Sequence, residues 1–133
     1  MTKSSILLVE DHEAFAKALL SIVNKEENLN VVAVVGTAEE ALDKLSELSI
    51  DLVLVDVSLP RVNGINLVAA IREKYPSLPC MMLSGHLSPE YVRRALDAGA
   101  RGYMIKDNPA GILEGIQRVF SGGIYVSKEL GEV

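Results

Sequence analysis

Five polar residues stand where aliphatic runs stop: Glu10-Asp11 after ILLV, Asp56 after LVLV, Ser84 after CMML and Lys106 after GYMI. They comprise three carboxylates, a hydroxyl and an ammonium. Carboxylates brought together either take up protons or bind a cation: two unit charges ~4 Å apart repel by about 4 kcal/mol at an effective dielectric of ~20. Oxygen-only ligands with open coordination positions suit Mg²⁺, with Mn²⁺ as a substitute. His12, next to the acidic pair, is a potential nitrogen ligand for zinc. A residue at the start of a helix is equally free to point away, so ligation by oxygen alone is the expectation.

The chain must supply elements that position these groups. Residues 6–9, 31–35, 51–56, 80–83 and 102–105 are short aliphatic runs of strand length. Between them lie helical patterns. Phe15, Ala18, Leu19, Ile22 and Val23 share a face. Thr37 with Glu40 three residues on has capping-box form. Ile65, Val68, Ala69 and Ile71 follow the loop punctuated by Pro60 and Gly64. Ser88-Pro89-Glu90 and Asn108-Pro109 have helix-start chemistry, with Pro where its missing N–H matters least. Gly99 and Gly122-Gly123 are stop signals.

Five aliphatic strands alternating with five helices imply a doubly wound α/β fold, its parallel sheet covered on both faces. A ligand site is then expected at the carboxyl ends of the strands. Every polar strand end named above falls on that edge, whereas the second strand ends at Gly36-Thr37. Taken singly, Asp56 reads as a turn residue, Glu10-Asp11 as caps for the first helix, Ser84 as a loop hydroxyl and Lys106 as a solvated charge. Together on one edge they make a site for forming and hydrolysing an aspartyl phosphate, with Asp56 as nucleophile.

The segments ILLVEDH, DLVLVDVSLPRVNG, MMLSGH and GARGYMIKD resemble the receiver domain of bacterial two-component response regulators, in the family's order, from residue 5 to about 121. The resemblance implies a five-stranded flavodoxin-like sheet of order 2-1-3-4-5. It implies Asp56 as phosphoacceptor, with Mg²⁺ held by Asp11, Asp56, the backbone carbonyl of Ser58 and, through water, Glu10. Ser84 would be the switch hydroxyl, Lys106 the phosphate-contacting lysine and Tyr103 the aromatic switch; as a plain strand residue, Tyr103 would be only half-buried. LDAGARGYMIKD and FSGGIYVS are similar to the NarL/FixJ branch, whose receivers precede a LuxR-type helix-turn-helix domain.

The partners so implied are a sensor histidine kinase, a second copy of the chain on phosphorylation, and DNA only through a C-terminal domain. That domain is absent here. Residues 1–121 are expected to form the receiver and 122–133 the start of a linker, with Ser127-Lys128-Glu129-Leu130 suggesting a new helical cap at which the chain stops. A natural single-domain receiver is the alternative. Two departures from the family pattern stand out. Asp107 occupies the place where many members carry proline, with Pro109 two residues on. Ser58 and His86 stand two residues beyond Asp56 and Ser84, at positions that tune how fast water reaches the acyl phosphate.

Competing functions have weaker footing. Phosphohydrolases of the haloacid dehalogenase type need a second Asp two residues after the nucleophile, where this chain has Ser58. No glycine-rich loop follows the first strand, and acids there would repel a pyrophosphate. A receiver-like interaction module that never sees phosphate is the remaining alternative. A net charge of −5 over 133 residues argues against DNA binding by this segment itself. The one cysteine, Cys80, lies in an apolar run and is expected to be a buried thiol. No apolar stretch approaches the roughly 20 residues of a membrane span. A cytoplasmic signalling switch, rather than a metabolic enzyme, is the expectation.

Overall fold

The computed structural model describes residues 3–85 and 88–127. Eleven elements follow in order: β1 (Ser4–Val9), α1 (Glu13–Asn24), β2 (Leu29–Val35), α2 (Ala38–Glu47), β3 (Leu52–Asp56), α3 (Gly64–Lys74), β4 (Cys80–Ser84), α4 (Pro89–Ala98), β5 (Gly102–Ile105), α5 (Pro109–Phe120) and β6 (Tyr125–Val126). All strand pairs are parallel, in the order β2-β1-β3-β4-β5-β6. The expected doubly wound order 2-1-3-4-5 therefore holds, and β6 extends it.

Strand alternation builds two cores. Leu7, Val9, Val53, Val55, Met82 and Tyr103 face α2, α3 and α4. Ile6, Leu8, Leu54, Met81, Leu83 and Met104 face α1 and α5. Successive strand residues point to opposite faces, so a strand covered on both sides needs an unbroken aliphatic run. Leu52 to Asp56 is such a run, buried along its whole length.

Local chemistry sets the helix starts. Thr37 Oγ1 accepts from the Glu40 amide, Ser88 Oγ from the Tyr91 amide and Asn108 Oδ1 from the Gly111 amide, as their residue types foretell. Helix α4 ends at Gly99, whose φ of 111° is left-handed, and a Cβ there would run into the Arg72 side chain. In α1 the buried stripe is Ala16, Leu19 and Val23, while Ala18 faces solvent. The expected face was rotated, because Ala18 lies beside rather than on the i, i+3, i+7 line. Cys80 is buried, and that burial pushes its thiol up to about 12, leaving it unreactive.

The sixth strand is absent from the sequence expectation. Two residues show no periodicity, and they pair only because β5 offers a free edge. Tyr125 and Val126 pair with Gly102 and Tyr103. The Ser127 amide then donates to Tyr103 O at 3.0 Å, and Ser127 Oγ accepts from the Ile105 amide at 3.1 Å. No described helix is long and apolar enough to cross a membrane.

Candidate functional site

The parallel sheet delivers the predicted residues to one rim. The Glu10 amide prolongs β1 by donating to Val35 O at 2.8 Å. Asp56 ends β3 opposite Leu83, Ser84 ends β4 opposite Ile105, and the Lys106 amide donates to Ser84 O at 2.9 Å. Rigid strands thus hold an acid, an acid, a hydroxyl and an amine at adjacent places.

Lys106 is the electrostatic bridge. Its Nζ lies 2.6 Å from Glu10 Oε1 and 3.2 Å from Asp56 Oδ2, with both acids buried. Phe15, at the start of α1, turns its ring toward the ammonium with the centroid 4.9 Å from Nζ, a cation–π distance. By its helical spacing Phe15 belongs to the apolar face of α1. Nothing in its spacing signals the second contact, which depends on α1 and β5 meeting at the rim.

Burial pushes the Asp56 carboxyl up, to about 6; the Ser58 amide, donating at 3.1 Å, and Lys106 pull it down, while Glu10 adds repulsion. Burial also pushes Glu10 up, but hydrogen bonds from Lys106 and the His12 amide outweigh it and leave Glu10 below its usual value. One ammonium pairs with both Glu10 and Asp56, and the exposed Asp11 stands beside them against His12, so the rim carries more carboxylates than lysines.

A consequence for stability follows. The folded pKa of Asp56 exceeds its unfolded value, so its contribution is present below about pH 4 and lost as pH rises through about 6. Asp56→Asn is therefore expected to stabilise the metal-free protein by about 2 kcal/mol above that range and by little below it. This is less than the ~3 kcal/mol of two pKa units, because Asn leaves Lys106 with one carboxylate partner instead of two. Urea melts in chelator at the two extremes measure it; an unchanged difference across pH would mean that Asp56 is not strained.

The other predicted residues fall as follows. Ser58 is exposed and holds Asp56 through its amide. Tyr103 is fully buried, not half-buried as a plain strand residue would be; burial and the Tyr91 and Asp56 charges raise its hydroxyl pKa, which a hydrogen bond with Ser84 lowers. His86 lies outside the described residues. Helix α1 begins at Glu13 with His12 in the N-cap place, so Glu10 and Asp11 are not its caps.

His12 is the main revision. Instead of pointing away, its Nδ1 lies 3.1 Å from Glu10 Oε2, 3.6 Å from Asp11 Oδ1 and 3.9 Å from Asp56 Oδ2. Donor atoms of Glu10, Asp11, His12 and Asp56 all lie within 4.8 Å of one another. Such a donor set, with two buried acids among it, fits a divalent cation. A separate cleft of about 450 Å³ opens at the opposite edge, beside Ile50, Asp51 and Pro79. Its acid, Asp51, already accepts from the Ser5 amide, so that cleft lacks a comparable constellation.

Known proteins share this arrangement of elements. Residues 6–117 match the family described as response regulator receiver domain. The transcriptional activator protein ExaE of Pseudomonas putida is 36% identical over 126 residues, covering 94% of this chain and 59% of ExaE. The transcriptional regulatory protein DegU of Brevibacillus brevis is 30% identical over 125 residues, 93% of this chain and 53% of DegU. The chain thus spans little more than half the length of these relatives. A LuxR-family two-component response regulator from Aurantimonas sp. SI85-9A1 superposes with a TM-score of 0.93 at 26% identity, over 97% of this chain and 93% of that one. With its sheet order, its acidic rim and a family match across most of its length, the chain belongs to the response regulator receiver domains.

Proposed function

We propose that the domain is a phosphoryl-accepting switch with Asp56 as the acceptor. The observation that carries this reading is a buried carboxylate at the tip of β3, held by the Ser58 amide and the Lys106 ammonium beside two further acids. Asp11, Asp56 and the Ser58 carbonyl, with Glu10 behind them, would hold Mg²⁺ or Mn²⁺. When bound, the ion neutralises carboxylate and phosphoryl charge.

The chain's own residues do the rest. A carboxylate oxygen of Asp56 attacks the phosphorus of a phosphohistidine on a sensor kinase; the P–N bond breaks, and the imidazole keeps the electron pair and takes a proton. Lys106 is mounted to pair with an equatorial phosphoryl oxygen, and Ser84 to donate a hydrogen bond to another. Hydrolysis reverses the state: water attacks phosphorus and the Asp56–phosphoryl bond breaks. Ser58 and His86 are the positions assigned to tuning that lifetime. The product is a conformation rather than a metabolite. The buried position of Tyr103 is the inward rotamer that phosphorylation would favour.

The surface of α4, β5 and α5 would carry the change to a second copy of the chain or to an output domain. We assign residues 1–121 to the receiver and 122–133 to the start of a linker toward a helix-turn-helix domain, with DNA and transcription reached only through that domain. The first linker residues lie against β5, so the linker starts attached to the switch strand. A cytoplasmic location accords with this role and with a reduced Cys80.

Intact mass after incubation with acetyl phosphate and Mg²⁺ tests the reading. One added phosphoryl group is expected, lost in Asp56→Asn and in EDTA. Absence of an adduct under rapid quenching, with beryllofluoride binding also negative, would leave a phosphate-independent interaction module as the better account.

A further inference from the structure

His12 occupies an N-cap place without serving as a cap: its side chain makes no capping hydrogen bond, where Ser, Thr, Asp or Asn would make one. The ring is instead directed at the acids. Ligands bonded to one ion at about 2.1 Å stand roughly 3.0 Å apart at right angles and roughly 4.2 Å apart across the ion. The His12 Nδ1 separations of 3.1, 3.6 and 3.9 Å from the three carboxylates fall inside that interval. All four donor atoms lie within 4.8 Å of one another, so an inward shift of about half an ångström by the outermost carboxylate brings the whole set onto one ion.

The donor chemistry differs from an all-oxygen magnesium site. Mg²⁺ keeps oxygen ligands and several waters, whereas imidazole favours cobalt, nickel and zinc over magnesium. We propose that His12 makes this rim a mixed nitrogen–oxygen site that binds a first-row transition ion such as Co²⁺ or Zn²⁺ through its Nδ1 and prefers it to Mg²⁺. This rests on the reading that the carboxylates hold a divalent cation, and adds the ligand that decides which one.

The arrangement sets the requirements for binding. Nδ1 ligates only with the ring proton on Nε2, so an arriving ion replaces the Nδ1–Glu10 hydrogen bond and shifts the tautomer. Lys106 shares Glu10 and Asp56 with the ion as a second positive charge, and it acts on Mg²⁺ and on transition ions alike. Lys106 therefore lowers affinity without discriminating. Discrimination falls to the one nitrogen ligand in the set. The ring is largely exposed, so its replacement leaves the core untouched.

Calorimetric titration of the whole chain with Co²⁺, Zn²⁺ and Mg²⁺, for wild type and His12→Ala, tests the proposal. Loss of even an outer-shell partner costs metal sites about 10- to 100-fold in affinity. Co²⁺ and Zn²⁺ affinities are expected to fall at least tenfold on loss of the imidazole, and that of Mg²⁺ less than about twofold. In the wild type, a histidine ring nitrogen assigned through His12→Gln should shift in the ¹⁵N spectrum on Zn²⁺ addition. Equal losses for all three ions, or no loss for any, would overturn the proposal while leaving the Mg²⁺-dependent switch intact. Wild type that binds Co²⁺ through His12 but not Mg²⁺ would uphold the proposal and remove the support for Mg²⁺ in the switch. Binding of none of the ions would remove both.

Discussion

Lys106→Met lowers the stability of the metal-free protein by about 3–5 kcal/mol at neutral to alkaline pH, the scale on which removing one partner of a buried ion pair acts. The lysine bridges Glu10 and Asp56, and Met fills its stem's volume without its charge. Two desolvated carboxylates are then left facing each other. The pH dependence distinguishes this from a packing loss. Glu10, held below its usual value with help from Lys106, contributes stability above its unfolded pKa, and the variant forfeits that gain. Asp56, already raised to about 6, rises further without the cation. Its unfavourable contribution grows as pH climbs through the folded pKa. The deficit should therefore shrink as pH falls below the folded and unfolded values of both carboxyls, where each is protonated in either state. Mg²⁺ should restore more stability to the variant than it adds to wild type, because it supplies the missing positive charge. Urea melts with and without Mg²⁺ at the two pH extremes measure all of this. A variant as stable as wild type in chelator at high pH would mean that water, not Lys106, compensates the acids.

Gly64→Ala is expected to destabilise by about 3 kcal/mol, at the upper end of overpacking costs. A Cβ on Gly64 would fall inside contact distance of the Asp56 backbone carbonyl, with Met82 Cε at 3.1 Å closing the other side. A flexible side chain could yield, but the strand end cannot move without moving the phosphoacceptor. The Gly64 amide also donates to Val57 O at 2.8 Å, which ties the start of α3 to the end of β3. Both stability and the rate of adduct formation should fall, with a melting-temperature drop of about 10 °C. Gly85→Ala is the matched control, since a Cβ there meets nothing within 4 Å. Equal stability for the two variants would show that the β3–α3 junction relaxes freely.

The two glycines illustrate how far the sequence is legible. Gly64 reads from the sequence as loop punctuation, and Gly85 as the end of a strand run. Their different tolerance depends on what crosses each position in space, in one case a backbone carbonyl 8 residues earlier in the chain. Ser88, Thr37 and Asn108 were legible because a cap acts within three residues of itself. His12 was not, since a ring at a helix start has several staggered directions and only the folded rim selects among them. Phe15 and β6 escaped for related reasons: one gains its second contact from a distant strand, and the other is too short to show a period.

The sequence by itself determined the alternation of aliphatic strands and amphipathic helices, and with it a parallel sheet whose polar strand ends share one edge. Burial on both faces demands unbroken aliphatic runs, and right-handed crossovers leave few ways to order them. Tertiary structure alone decided how those ends combine. It placed Lys106 between Glu10 and Asp56, raised the Asp56 pKa, aimed His12 into the acids and laid residues 125–127 along β5. Each of these depends on separations of a few ångströms between residues far apart in the chain. Coulomb energies, desolvation and hydrogen bonds vary steeply over such separations, and periodicity carries no record of them.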